Sequence, residues 1–528
     1  MDIISESRSY LLIPMQPTPN GRLHIGHAAG PYLRADALAR SLRRDGNHVA
    51  VITGSDAYEN WVMLDGLESG RSARETCAHF HELIRRDLGN IDIELDTWVD
   101  PLHEDHAEHY CRLHEDLLRD LMESGQAKLE RERIPLTATG HEVVGTWILG
   151  LCPTCRQPCS GNTCVFCGDH FQPEEVIDPR SRLDQGELNW CERQNWFLTP
   201  RDRGKVLKEL RNTGLLNCFL EAPKRYISRR RARIRLSHPG HWGIASPLAP
   251  PGSVLSNTYF GYALYCGEVY ARTRNTMENP LLKNSLGTKV IGLFGSDNSI
   301  AGLVAPFAIG LASGRFRSFD YVNVNHMLYF EGRKCSTSKR HGIWVSELLE
   351  QTSVTSDELR YYLFHAPLDE SISDVTTEGL VASVNKLRDW LRDRLMPTQR
   401  LSGSNWSAAL LSRLEYALKE QNRALQPNHV HLKKAVEVMD SWIYSPNMDF
   451  YEPAIASTWL AGTALLGEPI IPYLASRIWK QLGLPNQPRT AALATCLSPS
   501  DQLSVTSREP IAESEIRPYI HYEVGFEI

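Results

Sequence analysis

The chain has 528 residues, of which 42% are hydrophobic and 23% charged, and its formal net charge is −6. That length exceeds what one core organises, so roughly three or four domains are expected. The acidic balance excludes wholesale phosphate coating, though not a local basic face. The absence of any apolar run of about 18 residues excludes a helical membrane span. The opening Met1–Arg8 carries Asp2 and Glu6 and no apolar stretch, so it is no secretory signal, and a cytoplasmic location is expected.

In chain order, residues 9–16 read as a short buried strand that ends in the turn Pro17-Thr18-Pro19-Asn20-Gly21. From Gly26 to Arg44 the positions Leu33, Ala37, Leu38 and Leu42 are spaced for one helical face. Gly46-Asn47 stops this helix and residues 48–53 form a second strand, making a βαβ unit and hence a parallel sheet. Helical stretches follow at 71–88 and 104–123. From Leu129 to Trp196 the texture turns to Cys, Pro, Gly and short apolar runs, as expected of an insertion. Strand-like sequence resumes at 289–294 and 321–325, and helical periodicity dominates from Val345 to Leu482. The tail from Ser498 is polar and then aromatic, and the sequence does not decide whether it docks. The expected division is residues 1–128 and 226–345 as two halves of an α/β catalytic domain, 129–225 as an insertion, 346–497 as an all-α domain and 498–528 as a tail.

Four constellations carry chemistry. The first, Pro19-Asn20-Gly21-Arg22-Leu23-His24-Ile25-Gly26-His27, lies where a strand ends and a helix opens, a place that favours nucleotide phosphates. Two imidazoles three residues apart can donate to charge developing on a triphosphate, while Gly26 leaves room for a base or ribose. By itself His-x-x-His reads equally as surface histidines or half a metal site. The second, Gly332-Arg333-Lys334-Cys335-Ser336-Thr337-Ser338-Lys339-Arg340, comes about 310 positions later. It reads as a basic, hydroxyl-rich loop able to neutralise a leaving pyrophosphate, or as a polar surface turn.

Cys152-x-x-Cys155 and Cys164-x-x-Cys167 are the third, two knuckles spaced for a tetrahedral zinc site of architectural role, with Cys159 a spare thiol between them. Seven further cysteines are scattered, which suits a reducing compartment better than a disulfide framework. The fourth is Asp56, just past the second strand at the carboxyl edge of the sheet, where open α/β folds bind ligands. A helix N-cap is its simpler reading. The basic run from Lys224 to Arg235 fits a solvated segment or a nucleic-acid contact.

With both motifs in place, the chain resembles the class I aminoacyl-tRNA synthetases, whose signatures are written HIGH and KMSKS. His24-Ile25-Gly26-His27 matches the first in full, and Lys334-Cys335-Ser336-Thr337-Ser338 matches the second in part. Among subclasses it is most similar to the methionyl type over residues 9–395, through Gly54-Ser55-Asp56, Phe260-Gly261-Tyr262, Phe294-Gly295-Ser296-Asp297 and Leu359-Arg360-Tyr361-Tyr362. The resemblance implies a Rossmann-like catalytic domain split by a zinc-knuckle insertion, then an all-α anticodon-binding-like domain. It implies ATP, Mg²⁺ and Zn²⁺ as cofactors. His24, His27, Lys334 and Lys339 would be catalytic. Asn20, Gly26, Gly295, Asp297, Ser336 and Ser338 would bind ATP; Gln16, Asp56, Leu255 and Tyr262 would bind the amino acid, with Asp56 on its α-ammonium group.

Several positions depart from the family pattern. The tryptophan of the methionine pocket is Leu255, and the following Asp-Ala-Pro becomes Asn257-Thr258-Tyr259. The stretch Ile300 to Pro306 is one residue short and lacks the expected Phe-His and Trp-Pro pairs, and the first-strand leucine is Gln16. Each aromatic ring lost removes about 0.3–1.5 kcal/mol of thioether contact. The second lysine of the loop is Thr337, with Lys339 placed to substitute, and no Asn/Arg anticodon-reading pair follows Asn385. The expected function is therefore a ligase that activates an amino acid or related carboxylate with ATP and transfers it to tRNA or a small-molecule amine, a paralogue of altered substrate. A genuine methionine–tRNA ligase and a catalytically silent tRNA-binding protein are the alternatives. Membranes and DNA are not expected partners.

Overall fold

The structure is a computed structural model that describes residues 7–184, 186–229, 232–274, 278–337, 339–446, 448–500 and 505–522. Ser338 of the signature loop, Arg230 and Arg231 of the basic run, and Asn447 lie outside the described residues.

Five parallel strands form the central sheet: β1 (Ser9–Pro14), β2 (His48–Gly54), β3 (Thr97–Val99), β4 (Thr288–Gly295) and β5 (Tyr321–Asn325), in the order β5-β4-β1-β2-β3. Both faces are covered, as parallel sheets require. Tyr10 and Leu12 of β1 enter one core layer while Leu11 and Ile13 enter the other, none more than 6% exposed. The chain order reverses between β1 and β4. In doubly wound sheets the crevice at that switch, beyond the strands' carboxyl ends, is where ligands sit. Gln16 to His27 leave β1 there, and Gly295 to Asp297 leave β4 there.

Three features were not foreseen from sequence. The three-residue β3 is too short to show alternation. The helix Trp61–Ser69 has no side-chain cap and contains Gly66. The helix predicted from Gly26 is broken by a wide turn over Ala28–Tyr32, where Gly30 leaves helical geometry before Pro31, and becomes regular only over Leu33–Arg44. Proline's missing N–H explains why the ladder fails there.

The insertion opens with a long antiparallel pair, Ala127–Leu136 against Asn189–Leu198, joined by Ile234–Arg235. The helical part packs through Trp459 and Trp479, both fully buried. It is tied to the helices that cover the sheet by Arg360, also fully buried, which donates to Asp36 at 2.6 Å and to the carbonyl of Ile91, and also to the carbonyl of Ile470 in the helical part. Ser373–Val375 within this helical stretch is a strand, pairing in parallel with Leu328–Phe330 beside the signature loop. The tail docks: Ile520–His521 pairs with Gly342–Ile343, and His521 Nε2 donates to the Glu347 carboxylate at 2.7 Å. No helix among the described residues is long and apolar enough to cross a membrane.

Candidate active site

The two signatures meet. Val345 donates its N–H to the Leu23 carbonyl at 3.1 Å, and His24 bridges Trp344, so the segment after the loop clasps the first motif. A Cβ on Gly26 would lie 3.0 Å from the Cys335 Cβ, a tight contact that glycine avoids as the loop packs against the first motif. Lys334 Nζ reaches the Asp297 carboxylate at 3.4 Å. Thr337 lies against Gly21. Lys339 is exposed at the loop tip, and its backbone N–H donates to Ser336 Oγ at 3.3 Å.

His24 caps its own helix. Its Nδ1 accepts from the N–H groups of Gly26 and His27, at 3.1 and 3.3 Å, which leaves the proton on Nε2. The His27 ring stacks on it, centroids 3.8 Å apart. Burial, with His27 and Lys334 nearby, holds His24 well below the ordinary imidazole range. Burial, reinforced by Lys334, takes His27 down to about 4 despite Asp297. The pair is therefore neutral near pH 7, and His24 keeps one N–H donor at Nε2. Asp87, which sequence reasoning missed, fixes the turn by accepting from Arg22 at 2.6 Å and from the Leu23 N–H at 2.8 Å. Its position 64 residues away carried no local signal.

Past the end of β2, Asp56 donates its backbone N–H to the Pro17 carbonyl at 2.8 Å, and its Oδ1 accepts from Asn257 Nδ2 at 2.6 Å. Asn257 Oδ1 in turn accepts from the Tyr110 hydroxyl. Burial raises the Asp56 carboxyl well above its usual range, with Glu59 adding to the effect, and burial raises Glu59 as well. Tyr110 and Glu59 were missed in the sequence; the place of Glu59 three residues after Asp56 was the available signal. Gln16 is 7% exposed at the end of β1. Leu255 is 2% exposed in the strand Ser253–Leu255, and Tyr262 is fully buried in the helix Tyr259–Thr273. Asn20 and Gly295 are half-buried, the first in the turn before His24 and the second at the end of β4. The structure thus brings His24, His27, Gly26, Asp297 and Lys334 together and sets Asp56 with Gln16 beside the same exit turn.

The four knuckle thiols fit a tetrahedral ion. All Sγ atoms lie within 4.8 Å of one another, with Cys152–Cys167 at 3.8 Å and Cys155–Cys164 at 3.5 Å. A tetrahedron with Zn–S of about 2.3 Å has edges near ~3.8 Å. Cys159 is not in this group. The knuckle touches the turn that follows β4, since a Cβ on Gly168 would lie 2.8 Å from the Ser296 carbonyl, and Asn60 holds the Val144 carbonyl and the Thr146 N–H. The basic run secures this roof. Arg225 donates to the Cys167 carbonyl at 2.8 Å, Arg229 pairs with Asp169, Arg233 with Glu130 at 3.1 Å and Arg235 with Glu132. These arginines are engaged within the chain. Purified protein is expected to carry one zinc per chain. Cys152→Ser should lose the metal; elemental analysis finding no zinc in folded parent protein would contradict this.

The sequence model of the family described as tRNA synthetases class I (M) matches residues 13–392. The chain belongs to that family, and its class I synthetase fold is the architecture described above. It is similar to the methionine–tRNA ligase of Flavobacterium johnsoniae, 28% identical over 393 residues that cover 72% of this chain and 54% of that protein. The methionine–tRNA ligase of Thermoplasma acidophilum is 28% identical over 384 residues, covering 70% and 68%. Among solved structures, methionyl-tRNA synthetase of Mycobacterium tuberculosis bound by methionyl-adenylate aligns with a TM-score of 0.69 at 17% identity, covering 95% of this chain and 99% of that one. The chain spans about half the length of the first curated relatives it matches.

Proposed function

We propose that this protein activates an α-amino acid with ATP and passes the acyl group to a nucleophilic acceptor. The substrate carboxylate oxygen attacks the α-phosphorus, the bond to the β-phosphate oxygen breaks, and pyrophosphate leaves with its electron pair. The observation that carries the reading is the convergence of His24, His27, Asp297 and Lys334 from three separate segments of the chain. His24, fixed as a neutral donor by its capping bond, aims an N–H at oxygens that gain charge as the α–β bond lengthens. Lys334 and Lys339 neutralise the departing pyrophosphate, and Asp297 and Gly295 flank the ribose. Asp56 holds the ammonium group and so sets the carboxylate for in-line attack. Mg²⁺ bound with the nucleotide would supply charge neutralisation on the triphosphate.

Thr337 cannot supply the second cation of the loop, so Lys339→Ala is expected to cost as much as Lys334→Ala, about 10²-fold in turnover. An effect of only a few-fold would transfer the role to Arg333 or Arg340.

A second reading, a methionine–tRNA ligase, is favoured by the names of the relatives. Against an anticodon-reading role, the Asn385 amide is held by the backbone of Ile511 at 2.9 and 2.8 Å, and Arg388 is buried on Glu358 at 2.8 Å. Arg392 is paired with Asp389 and Asp393 on the surface. Asn385 and Arg388 are thus held within the chain and not displayed for unpaired bases. We therefore place a paralogue with an altered substrate first, with tRNA or a small-molecule amine as acceptor. Mass spectrometry of the protein with ATP, an amino-acid mixture and no acceptor is expected to show one aminoacyl-adenylate. Absence of any adenylate would overturn activation; methionyl-adenylate together with efficient charging of methionine tRNA would establish the second reading.

A further inference from the structure

Ligating side chains gather where the helical part meets the sheet. The hairpin formed by Leu425–Gln426 and His429–Val430 is pinned to β5, since Asn323 accepts from the Val430 N–H at 2.9 Å and donates to the Pro427 carbonyl at 2.7 Å. His429 and His431 flank Val430. Facing them are Asp369 and Glu370, on the segment after the helix Ser356–Phe364. That segment is held at the end of β5, where the Leu368 carbonyl takes the His326 N–H at 2.6 Å. Asp369, Glu370 and His431 each bring a ligand atom within 4.8 Å of the other two.

Both imidazoles share one oxygen: Asp369 Oδ2 lies 3.0 Å from His429 Nε2 and 3.5 Å from His431 Nδ1. Ligand atoms of one ion bound at about 2.0–2.2 Å stand about 3.0–3.5 Å apart, so this spacing suits an ion as well as a proton. His431 Nε2 lies 2.8 Å from Glu370. An ion on Nδ1 therefore leaves the other nitrogen donating to a carboxylate, the arrangement that orients metal-bound histidines. The backbone bond that Nδ1 accepts, from the Lys434 N–H, is long at 3.4 Å. Asp369 gives a second, independent sign. It is 1% exposed, and its Oδ1 has no hydrogen bond and lies 3.9 Å from the Arg34 guanidinium. A buried carboxylate oxygen without a donor marks a place for an ion or water that the chain does not supply. Two imidazoles and a carboxylate suit zinc and its neighbours among the divalent transition metals, whereas calcium and magnesium take oxygen ligands.

We propose that Asp369, His429 and His431 bind one divalent transition-metal ion of the zinc class at this joint, with Glu370 orienting His431. The ion fastens the hairpin of the helical part to the segment held at the end of β5. It shares no residue with the cysteine knuckle or with the adenylation site. Its nitrogen and oxygen ligands hold zinc less tightly than four thiolates do, so this site fills on titration while the knuckle keeps its ion through purification.

Calorimetric titration of zinc into the full chain, with the knuckle already filled, tests it. One further ion per chain is expected in the parent and none in His429→Gln or in His431→Asn, the second of which keeps a capping side chain for its helix. Glu370→Gln should weaken binding by about 10- to 100-fold. Cobalt(II) in place of zinc should add d–d absorption without a thiolate charge-transfer band; a thiolate band would put the ion in the knuckle and overturn the inference. Zinc-edge X-ray absorption of the loaded parent needs no variant. Its averaged shell should fall from about four sulfurs per zinc to about two, with nitrogen and oxygen making up the rest. A shell of sulfur alone, or no further ion in the parent, overturns the inference. So does a further ion that both histidine variants keep, which would be an adventitious ion only.

Discussion

Alanine at His24 or at His27 is expected to slow adenylate formation by about 10²- to 10³-fold while changing ATP binding far less. A donor aimed at charge that appears only as the α–β bond breaks contributes to the transition state and little to the ground state. The geometry adds a control. His24 also caps its helix through Nδ1, and a lost cap costs about 1 kcal/mol of stability. His24→Asn keeps a capping oxygen but does not reach outward, so it should fold like the parent and still lose turnover. Stopped-flow or exchange kinetics separate the two roles. If both alanine variants keep parental turnover, the histidines are structural.

Asp56→Asn is expected to lower kcat/KM for the amino acid by about 10²- to 10³-fold, since it removes the charged partner of a desolvated ammonium group. The pH profile carries the same assignment. Burial, and then Glu59, raise the Asp56 carboxyl well above its usual range in the free protein. Only the ionised form takes the ammonium, so kcat/KM should fall as pH drops through a value above the ordinary carboxylate range. With substrate bound the ammonium favours the charged carboxylate, so kcat should stay flat across that interval. Asp56→Asn should abolish this acid limb. A limb that persists in the variant would assign the titration to another group, with Glu59 the first to examine.

Much of this site was legible in the sequence because its chemistry is local. His24-Ile25-Gly26-His27 sits where β1 gives way to a helix, and both the spacing and the place carry meaning. The two cysteine knuckles are equally local, since each places two thiolates on one turn. The arginine run from Lys224 was ambiguous for the opposite reason. Its partners Glu130 and Glu132 lie about 100 positions upstream, and only the pairing of Ala127–Leu136 with Asn189–Leu198 and Ile234–Arg235 brings them together. Asp87 was invisible likewise, because its role exists only where the helix Ala73–Asn90 passes the Arg22-Leu23 turn. The docking of the tail on Gly342–Ile343 depends on a two-residue strand pair, which leaves no periodicity to read. Gln16 and Asn257 stood out as departures from a family pattern, but that Asn257 engages Asp56 and Tyr110 while the Gln16 Oε1 has no partner among the described residues is a matter of three-dimensional placement alone.

Amino-acid-dependent exchange of labelled pyrophosphate into ATP, with pooled amino acids and no acceptor, tests the activation step most directly. The parent protein is expected to exchange label only when amino acids are present, and the His24→Ala/His27→Ala double variant to lose that exchange while keeping its zinc. Exchange absent from zinc-loaded, folded parent protein, or unchanged in the double variant, would contradict the assignment of this site as an adenylate-forming centre.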